Sequence, residues 1–229
     1  MSGTGGSKLR ERLLAELPSK LAVWIGLAIG ICVPYFALQH VRWLPIRELS
    51  ATSMDRAIEF SPEWIYAYAS LALLVPLAPL LARTRTELVR YSEGLAILCA
   101  TCFVLFLLVP VAGPRPESAG ASGLYAAIVA VDRPTNSLPS LHAGLTVYSL
   151  LFMGRVFASS LGARERSRFV AAAGVWGGLI LYSTLATKQH WMVDLPAGAL
   201  IAWVSHRIAW RIRSVERGPR PHDARPAKR

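Results

Sequence analysis

"LAVWIGLAIGICVPYFALQ", residues 21–39, is a run of nineteen residues without one charge. As a helix it would reach about 28 Å at 1.5 Å per residue, close to the hydrocarbon core of a bilayer, roughly 30 Å thick. Moving outward, near-continuous apolar stretches recur at 64–82, 94–112, 140–158, 169–187 and 191–210, each the length that a membrane crossing requires. Composition agrees: of 229 residues, 53% are hydrophobic and only 17% charged, against about 25% charged in soluble domains, and the mean hydropathy is +0.39. The expected fold class is therefore all-α: a polytopic six-transmembrane-helix bundle over residues 21–211. It is flanked by an N-terminal segment, 1–20, and a basic tail, 212–229, expected to be disordered. No stretch outside the spans is long enough to build a second core.

The net charge of +11 raises the question of nucleic acid, and its distribution answers it. With the N-terminus placed in the cytoplasm, nineteen of the 25 Lys and Arg residues fall on the inner side, the last eight of them between Arg207 and Arg229. Only Arg42, Arg47, Arg56, Arg115, Arg133 and Lys188 fall outside. This asymmetry sets the orientation by the positive-inside rule. The basic tail reads as a solvated end near anionic lipid, and no nucleic acid partner is expected. Both termini are then cytoplasmic, and the expected location is a bacterial inner (cell) membrane.

The basic stretch before residue 21 resembles the start of a signal peptide. The apolar run behind it is too long, however, and lacks a small-residue cleavage pattern, so it reads as a retained helix. Cys32, Cys99 and Cys102 all lie within spans, where they read as small packing residues. Gly26 and Gly30 form a G-x-x-x-G that apolar helices often carry by chance. "IRELSATSMDRAIEFSPEWIYAY", residues 46–68, mixes charge with Trp64, Tyr66 and Tyr68 and reads as an amphipathic segment on the outer surface. "GPRPESAGASGLYAAIVAVDRPTNSLP", 113–139, reads as a loop with one short helix around 123–131.

On this topology two histidines meet the same face: His142, in "PTNSLPSLHAGLT" at 134–146, and His190, in "STLATKQHWMVDLPAG" at 183–198. Asp194 follows His190 at i+4 and would share its face if the stretch were helical. A carboxylate there can take the Nδ1 proton, fix the tautomer and leave Nε2 as a nucleophile. The plain alternative makes Asp194 a helix cap, with Pro196 in the first turn. Arg115, Arg133 and Lys188 flank the same spans. Two imidazoles, a carboxylate and three cations suit phosphoryl transfer, which needs an in-line nucleophile, an acid for the leaving oxygen and positive charge around the equatorial oxygens. His190 would attack and His142 would protonate the leaving alkoxide. Ser140 would donate its hydroxyl and N–H to phosphate at the helix start, a role compatible with its plain alternative as the cap of that helix.

The pieces "PSLHA" (139–143) and Ser183, His190 and Asp194 in the spacing S-x6-H-x3-D resemble the second and third motifs of the type 2 phosphatidic acid phosphatase superfamily. That superfamily also includes vanadium haloperoxidases and sphingolipid phosphotransferases. The resemblance implies a cofactor-free, metal-independent phosphohistidine mechanism on a lipid phosphate, with His190 as nucleophile, Asp194 as its orienting partner and His142 as general acid. Two departures stand out. Leu108 and Ala126 occupy the positions of the first-motif lysine, and Thr184 stands where the third motif usually has arginine, which leaves Lys188 to compensate. "VPVAGPRP", "NSLPSLH" and "TKQHWMVD" look most like the branch related to inositol phosphorylceramide synthases, in which an alcohol replaces water as acceptor, and Arg115 carries over as the cation.

Water and alcohol acceptors both remain open at this level, as does oligomeric state. A Ser-His hydrolase is excluded because Ser140 lies on no G-x-S-x-G elbow. A small transporter or a structural bundle is the competing class. It is separated from an enzyme by whether these groups converge on one site. His40, His206 and His222 lack a carboxylate at i+4 and are expected to be inert.

Overall fold

In this computed structural model, which describes residues 4–41, 43–115 and 123–215, the chain forms ten α-helices. α1 (Thr4–Leu14) and α2 (Leu17–Leu38) are separated at Glu16, whose φ is 55°. The segment before the first span is thus helical and docked. Arg12 donates to the Leu81 carbonyl at 2.9 Å and Glu11 pairs with Arg83 at 2.7 Å. The fully buried Lys20, inside α2, donates to the carbonyls of Leu80 and Arg12.

α3 (Ser53–Ala57) is capped by Thr52 and Asp55 in a reciprocal box. The apolar window 64–82 is not one helix but a 3-10 turn (Pro62–Trp64), α4 (Ile65–Ala69) and α5 (Leu71–Leu80). Pro79 has no N–H to offer the Val75 carbonyl four residues back, and the Tyr91 hydroxyl donates to that carbonyl at 2.8 Å instead. α6 (Arg85–Leu108) starts nine residues before its apolar window, because Arg85, Glu87, Arg90 and Glu93 sit on its first turns and Thr84 caps it. α7 (Leu124–Val131) occupies the short helix expected in the long loop, followed by α8 (Leu141–Val156), a 3-10 turn (Ala158–Ser160), α9 (Ala163–Ala186) and α10 (Asp194–Val215).

Among the described residues, five segments are long and apolar enough to cross a membrane: Leu17–Leu38, Pro62–Leu80, Arg85–Leu108, Leu141–Ser160 and Ala163–Ala186. α10 has 22 residues but carries Asp194, Arg207 and Arg211, and is not among them. The tail beyond Val215, with His222, lies outside the described residues.

α8 runs through the middle of the bundle, against α5, α6, α9 and α10. In lipid, helix association depends on close packing rather than on expelling water, so small residues at crossings matter. A Cβ on Gly94 would come within 2.9 Å of the Tyr148 ring, whose hydroxyl donates to the Tyr91 carbonyl at 2.9 Å. A Cβ on Gly198 would overlap the Ser140 carbonyl oxygen and lie 3.1 Å from Gly144 N. Gly198 therefore lets α10 approach the start of α8. Cys99 and Cys102 are buried free thiols in the core, whereas Cys32 is exposed. His206 lies against Tyr148 and Trp210, each ring 5.9 Å away.

At one end of the bundle the connecting loops are stitched to each other. Parallel bridges join Arg47 to Val111 and Val111 to Asn136, and the Gly113 N–H donates to the Pro134 carbonyl at 2.8 Å. These contacts hold Arg115 and the 134–140 stretch over the starts of α8 and α10.

Candidate active site

His142 and His190, 48 positions apart in sequence, lie with ring centroids 5.9 Å apart. His142 sits in the first turn of α8, and its ring stacks on Tyr68 at 4.0 Å and 25°. His190 arrives differently. α9 ends at Ala186, Lys188 takes a left-handed backbone with φ 53°, and the N–H groups of Gln189 and His190 both turn back to the Thr184 carbonyl. A non-glycine residue in this region is unusual. Here Lys188 is pinned by its own side chain, whose Nζ donates to the carbonyls of Asp55, at 2.9 Å, and Ile58.

Residues 187–193 are not helical and Asp194 is the first residue of α10, so the condition for a shared helix face between His190 and Asp194 is not met. The contact nevertheless forms, with Nδ1 3.3 Å from Asp194 Oδ2. The nearer partner is the Ser137 carbonyl, 3.0 Å from Nδ1. A carbonyl only accepts, so Nδ1 is the donor there, and in the neutral ring this tautomer leaves the lone pair on Nε2. Asp194 is fully buried. Its Oδ2 also accepts from the Ser137 hydroxyl and, at 2.8 Å, from the Trp191 N–H. It thus both closes the turn before α10 and faces the imidazole.

Arg115 lies next to this pair. Its Nε donates to Gln189 Oε1 at 2.9 Å, its Nη2 pairs with Asp132 Oδ2 at 2.8 Å, and further N–H groups reach Gln189 Oε1 and the Asp132 carbonyl. Arg115, Arg133, Asn136, Ser137, Gln189 and His190 line one small polar cavity together with Tyr35, Tyr68 and Asp132.

A family model described as the PAP2 superfamily matches residues 37–208, most of the chain. The chain belongs to the PAP2 superfamily. Comparison with curated proteins and with solved structures gives no match. Superfamily membership makes this a phosphatase-type enzyme, acting on phosphate esters as a phosphatase or phosphotransferase.

Within that PAP2 assignment, the cations and Ser140 fall in different places. Arg133 is exposed at the rim, with its backbone N–H held by Gln39 Oε1 at 2.9 Å. Lys188 lines a separate cavity of about 380 Å³ on the other flank of His190, with Asp55, Arg56, Glu59, Phe60 and Trp191. Two of its three N–H bonds are spent on backbone carbonyls. Ser140 is fully buried, its Oγ accepts from the Ala143 N–H at 3.1 Å, and its own N–H donates to the Asp194 carbonyl at 3.0 Å. It caps α8, one of the two roles expected for it. Among the described residues no three His, Cys, Asp or Glu side chains gather to hold a metal ion.

Asp55 anchors the second cavity. Burial pushes its carboxyl up, but hydrogen bonds from Thr52 and from the Met192 N–H, with Lys188 nearby, outweigh that and hold it below its ordinary value. On the opposite side, His142 opens onto an apolar groove of about 760 Å³ between α2 and α4–α5, lined by Trp24, Ile31, Tyr35, Leu71 and Val75 among others.

Ser137, Asp132, Gln189 and Tyr68 were not legible as site residues. The one usable signal was the placing of Asp132 directly before Arg133-Pro134, a carboxylate beside a cation in an otherwise apolar stretch.

Proposed function

We propose that this PAP2 protein transfers the phosphoryl group of a lipid phosphate ester through a phosphohistidine on His190. The observation that carries this reading is the pairing of two imidazoles 5.9 Å apart with His190 Nδ1 committed to an acceptor-only carbonyl. Nε2 attacks phosphorus, the P–O bond to the lipid alcohol breaks, and His142 delivers a proton to the leaving oxygen. The arriving phosphate is the anion that favours a proton on His142. Asp194 stabilises the positive imidazole of the intermediate, and Arg115, with Arg133 at the rim, meets the equatorial oxygens. Water then attacks phosphorus, the N–P bond breaks, and His142 takes the water proton.

The lipid tail lies in the 760 Å³ groove, whose lining is almost wholly apolar and which ends at His142. α10 serves as the sixth crossing. Its 22 residues reach about 33 Å, and three of its polar residues, Asp194, Ser205 and His206, are buried in the bundle, while Arg207 and Arg211 are exposed in its second half. With the termini cytoplasmic, the site faces outward.

One observation favours a second reading, in which an alcohol replaces water and a phospho-headgroup is transferred, as in the inositol phosphorylceramide synthase-like branch. The 380 Å³ cavity beside His190 offers Asp55 and Glu59 against Arg56 and Lys188, with Phe60 and Trp191 as flat walls. Balanced charge and aromatic faces suit a neutral polyhydroxylated headgroup better than a second phosphate.

The test is purified protein in detergent with phosphatidate, an isoprenyl diphosphate, phosphatidylinositol and ceramide, following phosphorus into water or into a new lipid. Vanadate should inhibit, and His190→Ala should abolish both turnover and an acid-labile phosphoprotein. Turnover retained in His190→Ala would sink the proposal.

A further inference from the structure

Asp132 belongs to none of the motif stretches, yet its carboxylate accepts three side-chain hydrogen bonds beside the site. Its Oδ2 pairs with Arg115 at 2.8 Å, both side chains about nine-tenths buried, and its backbone carbonyl accepts a second N–H of the same guanidinium. Its Oδ1 accepts from the Tyr35 hydroxyl at 2.9 Å and from Gln39 Nε2 at 2.6 Å. Gln39 Oε1 in turn takes the Arg133 N–H.

Tyr35 lies near the end of α2 and Gln39 follows directly after it. No residue in the most apolar stretch of α2 is buried in the bundle. The other polar ties of α2 to the bundle lie nearer its start, from Trp24 to the Pro76 carbonyl and from Lys20 to the Leu80 carbonyl. Among the described residues, the side-chain ties at the far end of α2 all terminate on Asp132 or on its neighbour Arg133. Asp132, Tyr35 and Tyr68 line both the apolar groove and the polar cavity that holds Arg115 and His190. One carboxylate therefore stands where the two spaces meet, one oxygen bonded to Arg115 and the other to Tyr35 and Gln39.

We infer that Asp132 is a positioning residue: one oxygen sets Arg115 for the phosphoryl group while the other clamps α2 at the mouth of the groove. This rests on the phosphoryl-transfer reading of the site. Four of the five guanidinium N–H bonds of Arg115 go to Asp132 and Gln189, so its plane is fixed before substrate arrives. Fixed charge of this kind needs no reorganisation as the reaction proceeds. An asparagine at 132 cannot serve both sides, because its amide presents one acceptor and one donor where two acceptors are needed.

The test uses two substrates, a long-chain lipid phosphate and a water-soluble aryl phosphate that does not need the groove. Asp132→Asn should lower kcat on both by at least about tenfold, the scale of small misplacements of a catalytic group. Asp132→Glu, which restores the charge, should recover part of that loss. On the aryl phosphate the double variant Asp132→Asn with Arg115→Gln should be no slower than Arg115→Gln alone, because there both act through one guanidinium. Tyr35→Phe should raise KM for the long-chain ester alone. Thermal unfolding of each variant separates loss of folded protein from loss of turnover. Normal kcat in Asp132→Asn, additive losses in the double variant on the aryl phosphate, or a Tyr35→Phe effect equal on both esters would overturn the inference while leaving the phosphohistidine in place. A wild-type chain that turns over neither ester would overturn both.

Discussion

His190 Nδ1 stands 3.0 Å from the carbonyl oxygen of Ser137, nearer than its 3.3 Å approach to the Asp194 carboxylate. The tautomer is therefore fixed by the backbone, and Asp194 contributes charge rather than the sole constraint.

Replacing His190 by Ala should leave no measurable phosphoryl transfer. Asp194→Asn should retain the tautomer through Ser137 yet lose the charge that offsets the imidazolium, lowering kcat by about 10²–10⁴-fold. Steady-state kinetics with any accepted ester measures this. An Asp194→Asn enzyme as fast as wild type would mean that the carboxylate serves only to close the turn at Trp191.

The Tyr68 ring supports His142 from beneath. Stacked aromatic pairs contribute about 0.5–1.5 kcal/mol beyond burial, which is up to about tenfold in rate if the stack orients the acid. Tyr68→Leu should lower kcat within that range, and Tyr68→Phe, which keeps the stack, should not. Equal losses in both would assign the effect to the hydroxyl.

Gly198→Ala places a methyl on the Ser140 carbonyl, a backbone atom that cannot swing aside. Overpacking typically costs about 1–3 kcal/mol, and here the starts of α8 and α10, which carry His142 and Asp194, must separate. Thermal melts and activity should fall together. Gly154→Ala, where nothing lies within 4 Å, is the control and should change neither.

Asp55 gives a stability signal that depends on pH. Its folded value is held below the ordinary 3.8, so it stabilises the fold fully above the ordinary carboxylate range. That contribution disappears as pH falls through the lower, folded value. Asp55→Asn should lower stability by about 1.5–3 kcal/mol near neutrality, the range for hydrogen bonds to a charged group. The gap between wild type and variant should narrow as pH drops below about 4. Melting curves of both from pH 3 to 7 measure it, and a gap independent of pH would show that the carboxylate charge contributes nothing.

Some of this molecule is written in the chain itself. Apolar run length marks five of the six expected membrane-crossing segments, because a bilayer admits only backbone that satisfies its own hydrogen bonds, and that requirement shows as about twenty consecutive apolar residues. The short helix at Leu124–Val131 and the two histidine motifs were equally legible, being local patterns. Helix ends were less so: α6 extends back to Arg85 because Thr84 caps it, while a hydropathy window stops at the first charges.

What tertiary structure alone decided is which partner each polar group takes. The Ser140 N–H goes to the Asp194 carbonyl, and Lys188 Nζ goes to the carbonyls of Asp55 and Ile58. Ser137 meets His190 across 53 positions, and Asp132 meets Arg115 across 17. Hydrophobic spacing records which residues avoid water and lipid headgroups. A hydrogen bond between distant loops leaves no period in the sequence, because it depends on where Gly113 and Gly198 allow two backbones to meet.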